Sequence, residues 1–152
     1  MRQLQEYNII ASMLVSCEKG ALTESAINSL KRIDSDYLFY DEHRAIIEAF
    51  KILLDLGELI DIASLATTAS RACDFTHKDI EARLTVILCD GESNPWFLDT
   101  YINRLIYSIK ADEVKKLCES MIETCNSGIA SNNDISDFNE ALKDHIDAVK
   151  QF

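Results

Sequence analysis

The stretch NPWFLDTYINRLIYSIKADEVKKLCESMIETCN, residues 94–126, decides the fold class. It opens on Asn94 and Pro95, a helix start in which the proline stands where its missing N–H does no harm. No further glycine or proline occurs before Gly128. Trp96, Phe97, Tyr101, Ile102, Leu105, Ile106 and Ile109 lead into Val114, Leu117, Cys118, Met121, Ile122 and Cys125. One uninterrupted helix of about 32 residues would be about 48 Å long at 1.5 Å per residue, so part of it is expected to project from a small domain.

Downstream, Ser127 to Asn133 form a small polar connection, and Asp134 or Ser136 is the expected cap of a last helix. Ile135, Phe138, Leu142, His145, Val149 and Phe152 then recur at three and four, a heptad-like seam. A short loop makes two helices antiparallel neighbours, so residues 93–152 read as a helical hairpin.

Upstream, Leu4, Ile9, Ile10, Met13 and Leu14 suit one helical face, and Gly20 closes that segment. Thr23 is a candidate cap for a helix with Ala26, Ile27 and Leu30 inward. Asp41 is the expected N-cap of a helix carrying Ala45, Ile46, Ala49, Phe50, Leu53 and Leu54, with Gly57 as its stop. Asp61 caps a short helix that turns Ile62, Leu65, Ala66 and Ala69 inward. Thr76, with Asp79 three residues on, opens another with Ile80, Leu84, Ile87 and Leu88. Asp90 to Ser93 read as a loop. Residues 1–92 are therefore a globular head of about five helices, and the fold class is all-α.

Composition agrees. Four glycines and one proline in 152 residues are too few for the turns of a many-stranded sandwich or barrel. With 26 acidic and 15 basic residues the net charge is −11, which disfavours tight binding to nucleic acid through phosphates and suits protein partners. No segment is apolar enough to span a membrane, and Met1 to Glu6 lack a signal peptide's apolar core. The five cysteines are odd in number and never spaced C-x-x-C, so reduced, mostly buried thiols in a cytoplasm are expected.

Nothing nominates a catalytic or cofactor site. Walker A, G-x-G-x-x-G, H-E-x-x-H and G-x-S-x-G patterns are all missing from the sequence. His43, His77 and His145 fall on three different predicted helices, and the Cys and His residues form no metal-ligand cluster. His43 reads as a helix-start or packing residue. The expectation is a non-enzyme with no cofactor and no metal.

Residues 39–65 also carry a recognisable pattern. Phe39-Tyr40-Asp41-Glu42-His43-Arg44 precede an amphipathic helix, then Gly57-Glu58-Leu59-Ile60-Asp61-Ile62-Ala63-Ser64-Leu65. This resembles the N-terminal domain of DnaB-type replicative helicases, with F-Y-x-x-H-R, a helix, then G-x-P-I-D-x-x-T-L. Glu6 to Leu14 (EYNIIASML) is similar to the family's opening E-x-x-V-L-G-x-L helix. Ser93 to Leu105 (SNPWFLDTYINRL) is similar to its S-x-x-N-x-x-x-Y-x-x-I-V segment. The likeness covers nearly the whole chain in order. It departs at Leu59 for Pro, Ser64 for Thr, Ala11 for Gly, and loosely over residues 70–92.

The resemblance implies a helical head followed by a long hairpin, the collar domain of a helicase hexamer. It implies pairing through hairpins and docking onto replicative helicase or primase within a primosome. It also implies what is missing: the chain stops where the hairpin ends, so no ATPase domain, motor or strand separation is expected. A helicase fragment and a stand-alone modulator or mimic, from a phage or mobile element, both fit. A relative from the primase side is a minor alternative, and an unrelated acidic all-α regulator or ligand-binding protein is the other reading. The expected contact residues are Tyr101, Val114, Leu117, Met121, Ile135, Phe138, Leu142, His145, Val149 and Phe152. Tyr101 matches the tyrosine of the family's Y-x-x-I-V segment, near a surface implied to meet primase, although an ordinary core aromatic suits the position too. Trp96 and Phe97 are expected at the junction of head and hairpin.

Overall fold

Short-range capping chemistry sets most helix ends. The computed structural model describes residues 2–18, 20, 24–128 and 131–149, with the side chains of Ala26, Ser29, Ala148 and Val149 outside that description. The helices are α1 (Arg2–Glu18), α2 (Glu24–Arg32), α3 (Asp41–Leu56), α4 (Ile62–Ala72), α5 (His77–Asp90), α6 (Leu98–Asn126) and α7 (Asn132–Val149). Two 3₁₀ turns, Ser35–Tyr37 and Pro95–Phe97, complete the order, and no strand occurs among the described residues.

Asp61 and Ser64 form a reciprocal capping box at α4, as do Thr76 and Asp79 at α5. Gly57 ends α3 in the left-handed region (φ 66°), where its missing Cβ removes the strain, and its N–H and that of Glu58 satisfy the last carbonyls. Two caps differ from expectation. Tyr40, not Asp41, is the N-cap of α3, and it makes no side-chain cap bond. Asp41 stands inside the first turn, where its carboxylate favours the helix dipole and accepts from Arg44 at 3.1 Å. At α7 the reciprocal pair is Ser131 with Asp134, so neither Asp134 nor Ser136 is the cap itself. The proposed Thr23 cap lies outside the described residues.

The chain divides into two compact units, residues 1–105 and 106–152, and the division falls inside α6. The head read from the sequence ends at 92. The first compact unit runs further because Leu98, Tyr101, Ile102 and Leu105 of α6 are buried in it.

In the first unit α1 is the central helix. Ile9, Ile10, Ala11, Ser12, Met13 and Leu14 are consecutive and all buried, which requires neighbours all round rather than along one face. Leu4, expected inward, is instead exposed, because it lies before that covered stretch. Helices α3, α4 and α5 pack on one another, and α5 and the 95–97 turn pack on α1. Phe50, Ile46, Ile47, Leu65, Ile80 and Leu84 fill the space between them.

Gly91 explains how tightly α5 meets α1. A Cβ there would lie 2.8 Å from the carbonyl oxygens of both Ile87 and Tyr7. The loop that follows is tied to α1. Asn8 Oδ1 accepts from the Glu92 N–H at 2.8 Å, while Ser12 Oγ donates to the Glu92 carbonyl at 2.9 Å and accepts from the Asn94 N–H at 3.2 Å. Here side chains satisfy loop backbone that has no ladder of its own.

The second unit holds the rest of α6 and α7. His145 Nδ1 lies 3.3 Å from Glu113 Oε2, and Leu117 and Met121 share a groove with Phe138. Residue numbers rise along one helix as they fall along the other, so the two are antiparallel, as a short connection requires.

Candidate functional site

The F-Y-x-x-H-R segment turns out to be an internal strap. Glu6 and His43 are both fully buried, with His43 Nδ1 3.5 Å from Glu6 Oε1 but without hydrogen-bond alignment. Glu6 Oε1 instead accepts from the Phe39 N–H at 2.9 Å. Tyr7 and Tyr40 flank the His43 ring at 5.5 and 5.0 Å between centroids. Arg44 Nε donates to the Leu38 carbonyl at 2.7 Å. These contacts pin the 33–40 connection onto α1 and α3. His43 is thus a packing residue of the fold, as read from its place in the sequence.

A cleft of about 520 Å³ opens beside this strap, lined by Glu42, Phe75, Asp79, Ala82, Arg83 and Val86. Its guanidinium is already committed: Arg83 donates to the Tyr7 hydroxyl at 3.1 Å and to Glu42 at 3.4 Å. Among the described residues no group of three or more His, Cys, Asp or Glu is placed to hold a metal ion. The cysteines correct one expectation. Cys89 and Cys125 are exposed, and Cys17, Cys73 and Cys118 are only half-buried. Burial, and then the charge of Glu18, push the Cys17 thiol up to about 11, which keeps it protonated and unreactive.

Tyr101 sits in the first unit with 7% of its surface exposed, and its hydroxyl donates to Glu92 Oε2 at 2.7 Å. Burial first, and then that hydrogen bond and the carboxylate charge, push the phenol above its ordinary value, while Arg104 pulls the other way. What Tyr101 places at the surface is therefore Glu92. The Phe97 ring meets Tyr101 edge-on at 6.4 Å but is itself half exposed. Trp96 is 84% exposed. The two were expected as junction packing. The 3₁₀ turn instead aims Trp96 outward and buries only Leu98 beyond it.

In the second unit Val114, Leu117 and Met121 of α6 and Phe138, Leu142 and His145 of α7 are all half-buried. Leu117, Met121 and Phe138 line a groove of about 290 Å³ with Ser120, Thr124, Asp134, Asp137 and Ala141. Glu113 accepts from Lys110 at 3.2 Å and pairs with His145 at 3.3 Å. Phe138 and Leu142, read from the sequence as members of one seam, lie along the α6 side of α7, because positions 138, 141, 142 and 145 share one helical face. Among the described residues, the exposed large apolar side chains of this unit are Tyr107, Ile122, Ile135 and Ile146. Of these, only Ile135 was anticipated as a contact. Ile146 follows Leu142 by four, a spacing that pointed to it, but the seam through His145 took precedence. The Val149 side chain and Phe152 lie outside the described residues.

No family model and no curated protein matches the chain. Among solved structures, the N-terminal domain of DnaB helicase from Mycobacterium tuberculosis matches with a TM-score of 0.65 and 15% identity, over 97% of this chain and 96% of that one. From α1 to α7 the chain is an all-α protein with the fold of a DnaB helicase N-terminal domain.

Proposed function

We propose that the chain is a non-catalytic docking module of DNA replication, acting in the cytoplasm, that pairs through its hairpin and joins a replicative helicase or its primase. The observation that supports this reading is the helicase-domain fold over nearly the whole chain. Ile122, Ile135 and Ile146 add to it as aliphatic side chains left in water on α6 and α7. Covering them in a second hairpin, at roughly 800 Å² per partner, would give an interface of the standard size for stable pairs. The net charge of −11 favours protein partners over phosphates.

Size-exclusion chromatography with light scattering tests it, first on the chain alone and then with helicase and with primase. A dimer or larger assembly is expected, with co-elution with at least one partner. Replacing Ile122, Ile135 and Ile146 by Glu should give a monomer of unchanged helical content. A monomeric wild-type chain defeats the pairing. Recovery with neither partner defeats the replication role and leaves an acidic helical regulator as the better account.

A further inference from the structure

The end of α3 carries a second apolar surface, remote in sequence from the hairpin. Ile52, Leu56 and Leu59 are 42%, 65% and 78% exposed. A spacing of four places Ile52 and Leu56 along one side of the last turns of α3, and Leu59 follows just past its Gly57 cap. The fold itself does not use them: Leu53, one residue from Ile52, is the α3 side chain buried in the core at this level. Three neighbouring aliphatic residues left in water mark an interaction site more often than chance.

The surrounding charge identifies the occupant. Glu48, Asp55, Glu58 and Asp61 are the acids of the stretch 48–61 and Lys51 its one basic residue, while Lys31 of α2 lines a hollow with Lys51, Leu54 and Asp55. Lys51 is turned away from the ridge, donating to the Ile33 carbonyl and pairing with Glu48 at 3.6 Å. Asp61 is occupied in the α4 cap. Asp55 and Glu58 are exposed and have no ion-pair partner among the described residues. Two copies meeting ridge to ridge would bring Asp55 and Glu58 against the same acids of the other.

We infer that the Ile52–Leu56–Leu59 ridge is a docking site for an amphipathic helix of a partner protein that carries lysine or arginine beside its apolar face. Its aliphatic side chains cover the ridge while its cations meet Asp55 and Glu58. About two turns of such a helix span the ridge. The surface lies outside the hairpin, so this inference does not rest on the pairing proposed above.

The test is fluorescence anisotropy with the full chain and a labelled amphipathic peptide, with leucines at i, i+3, i+4 and i+7 and flanking lysines. A second peptide carries glutamates in place of the lysines. The lysine peptide should bind, more weakly as salt rises, and the glutamate peptide should not. The double variant Leu56→Ser, Leu59→Ser should lose about tenfold in affinity or more. The variant Asp55→Lys, Glu58→Lys should also weaken binding and flatten its salt dependence. Trp96→Ala, another exposed apolar residue, should leave it unchanged. All these side chains are exposed, and circular dichroism confirms that the variants fold. Equal binding by the leucine variant, equal binding of both peptides, or loss of binding in Trp96→Ala overturns the inference. So does a change in the assembly mass of the leucine variant in light scattering, which would assign the ridge to a second copy.

Discussion

The two compact units are built on different terms. In residues 1–105, α1 is covered on all sides and large side chains such as Phe50, Ile46 and Leu84 are sealed from water. In the second unit, no described residue from Lys110 onward is fully buried. Two antiparallel helices share one seam, so each apolar side chain is covered on one side only. A helix takes most of its stability from tertiary packing. The first unit supplies that packing from within the chain, whereas in the second it comes from one shared seam alone. The two units thus differ in how many neighbours each helix has.

Core truncation tests this contrast most strongly. Phe50→Ala removes a fully buried ring and should cost about 3–5 kcal/mol in urea unfolding. Phe138→Ala removes a half-buried one and should cost less than half as much in the monomer. Equal losses would show that the hairpin is packed as tightly as the head.

A paired carboxylate substitution is the next sharpest probe. Glu6→Ala leaves the Phe39 N–H without its acceptor in a dry site and removes the carboxylate beside His43, and should cost about 2–3 kcal/mol. Glu113→Ala removes a partly exposed cluster with Lys110 and His145, and should cost under about 1 kcal/mol, less in high salt. Thermal melts at two ionic strengths distinguish the two, since only the second should depend on salt.

A single hydrogen bond is probed at Tyr101, in the first turns of α6. Removing its hydrogen bond to Glu92 by Tyr101→Phe should cost about 1 kcal/mol near neutral pH. Its folded pKa is raised, so the stability it contributes is present below the unfolded value and is lost as pH rises through the folded one. The gap between wild type and Tyr101→Phe in urea unfolding should therefore close above about pH 10. A gap that widens with pH would contradict the assignment.

The success and failure of the sequence reading divide by the range of the physics. Asp61 with Ser64, Thr76 with Asp79, Gly57 and Pro95 are legible because a cap is decided within about four residues. Tyr40 was missed as a cap because Asp41 is the better capping residue by type, and the Glu6 contact to the Phe39 N–H beside the turn is tertiary. The half-buried faces of α6 and α7 follow the three-and-four period, so the sequence places Leu117, Met121, Phe138 and His145 on them. The period does not say which side meets water, and Ile146 and Ile122 were passed over.

By itself the sequence determined that the chain is helical, where most helices start and stop, and that its last two form a hairpin, because these depend on local periodicity and capping. Only the tertiary structure decided the fate of residues alike in type and close in sequence. Trp96 stands in solvent while Tyr101 is buried; Leu56 is exposed while Leu53 is sealed. An amphipathic pattern gives a helix a preferred side, but how much of that side is covered depends on which other helices arrive there. That number differs between the two units, and it decides which apolar side chains stay in water.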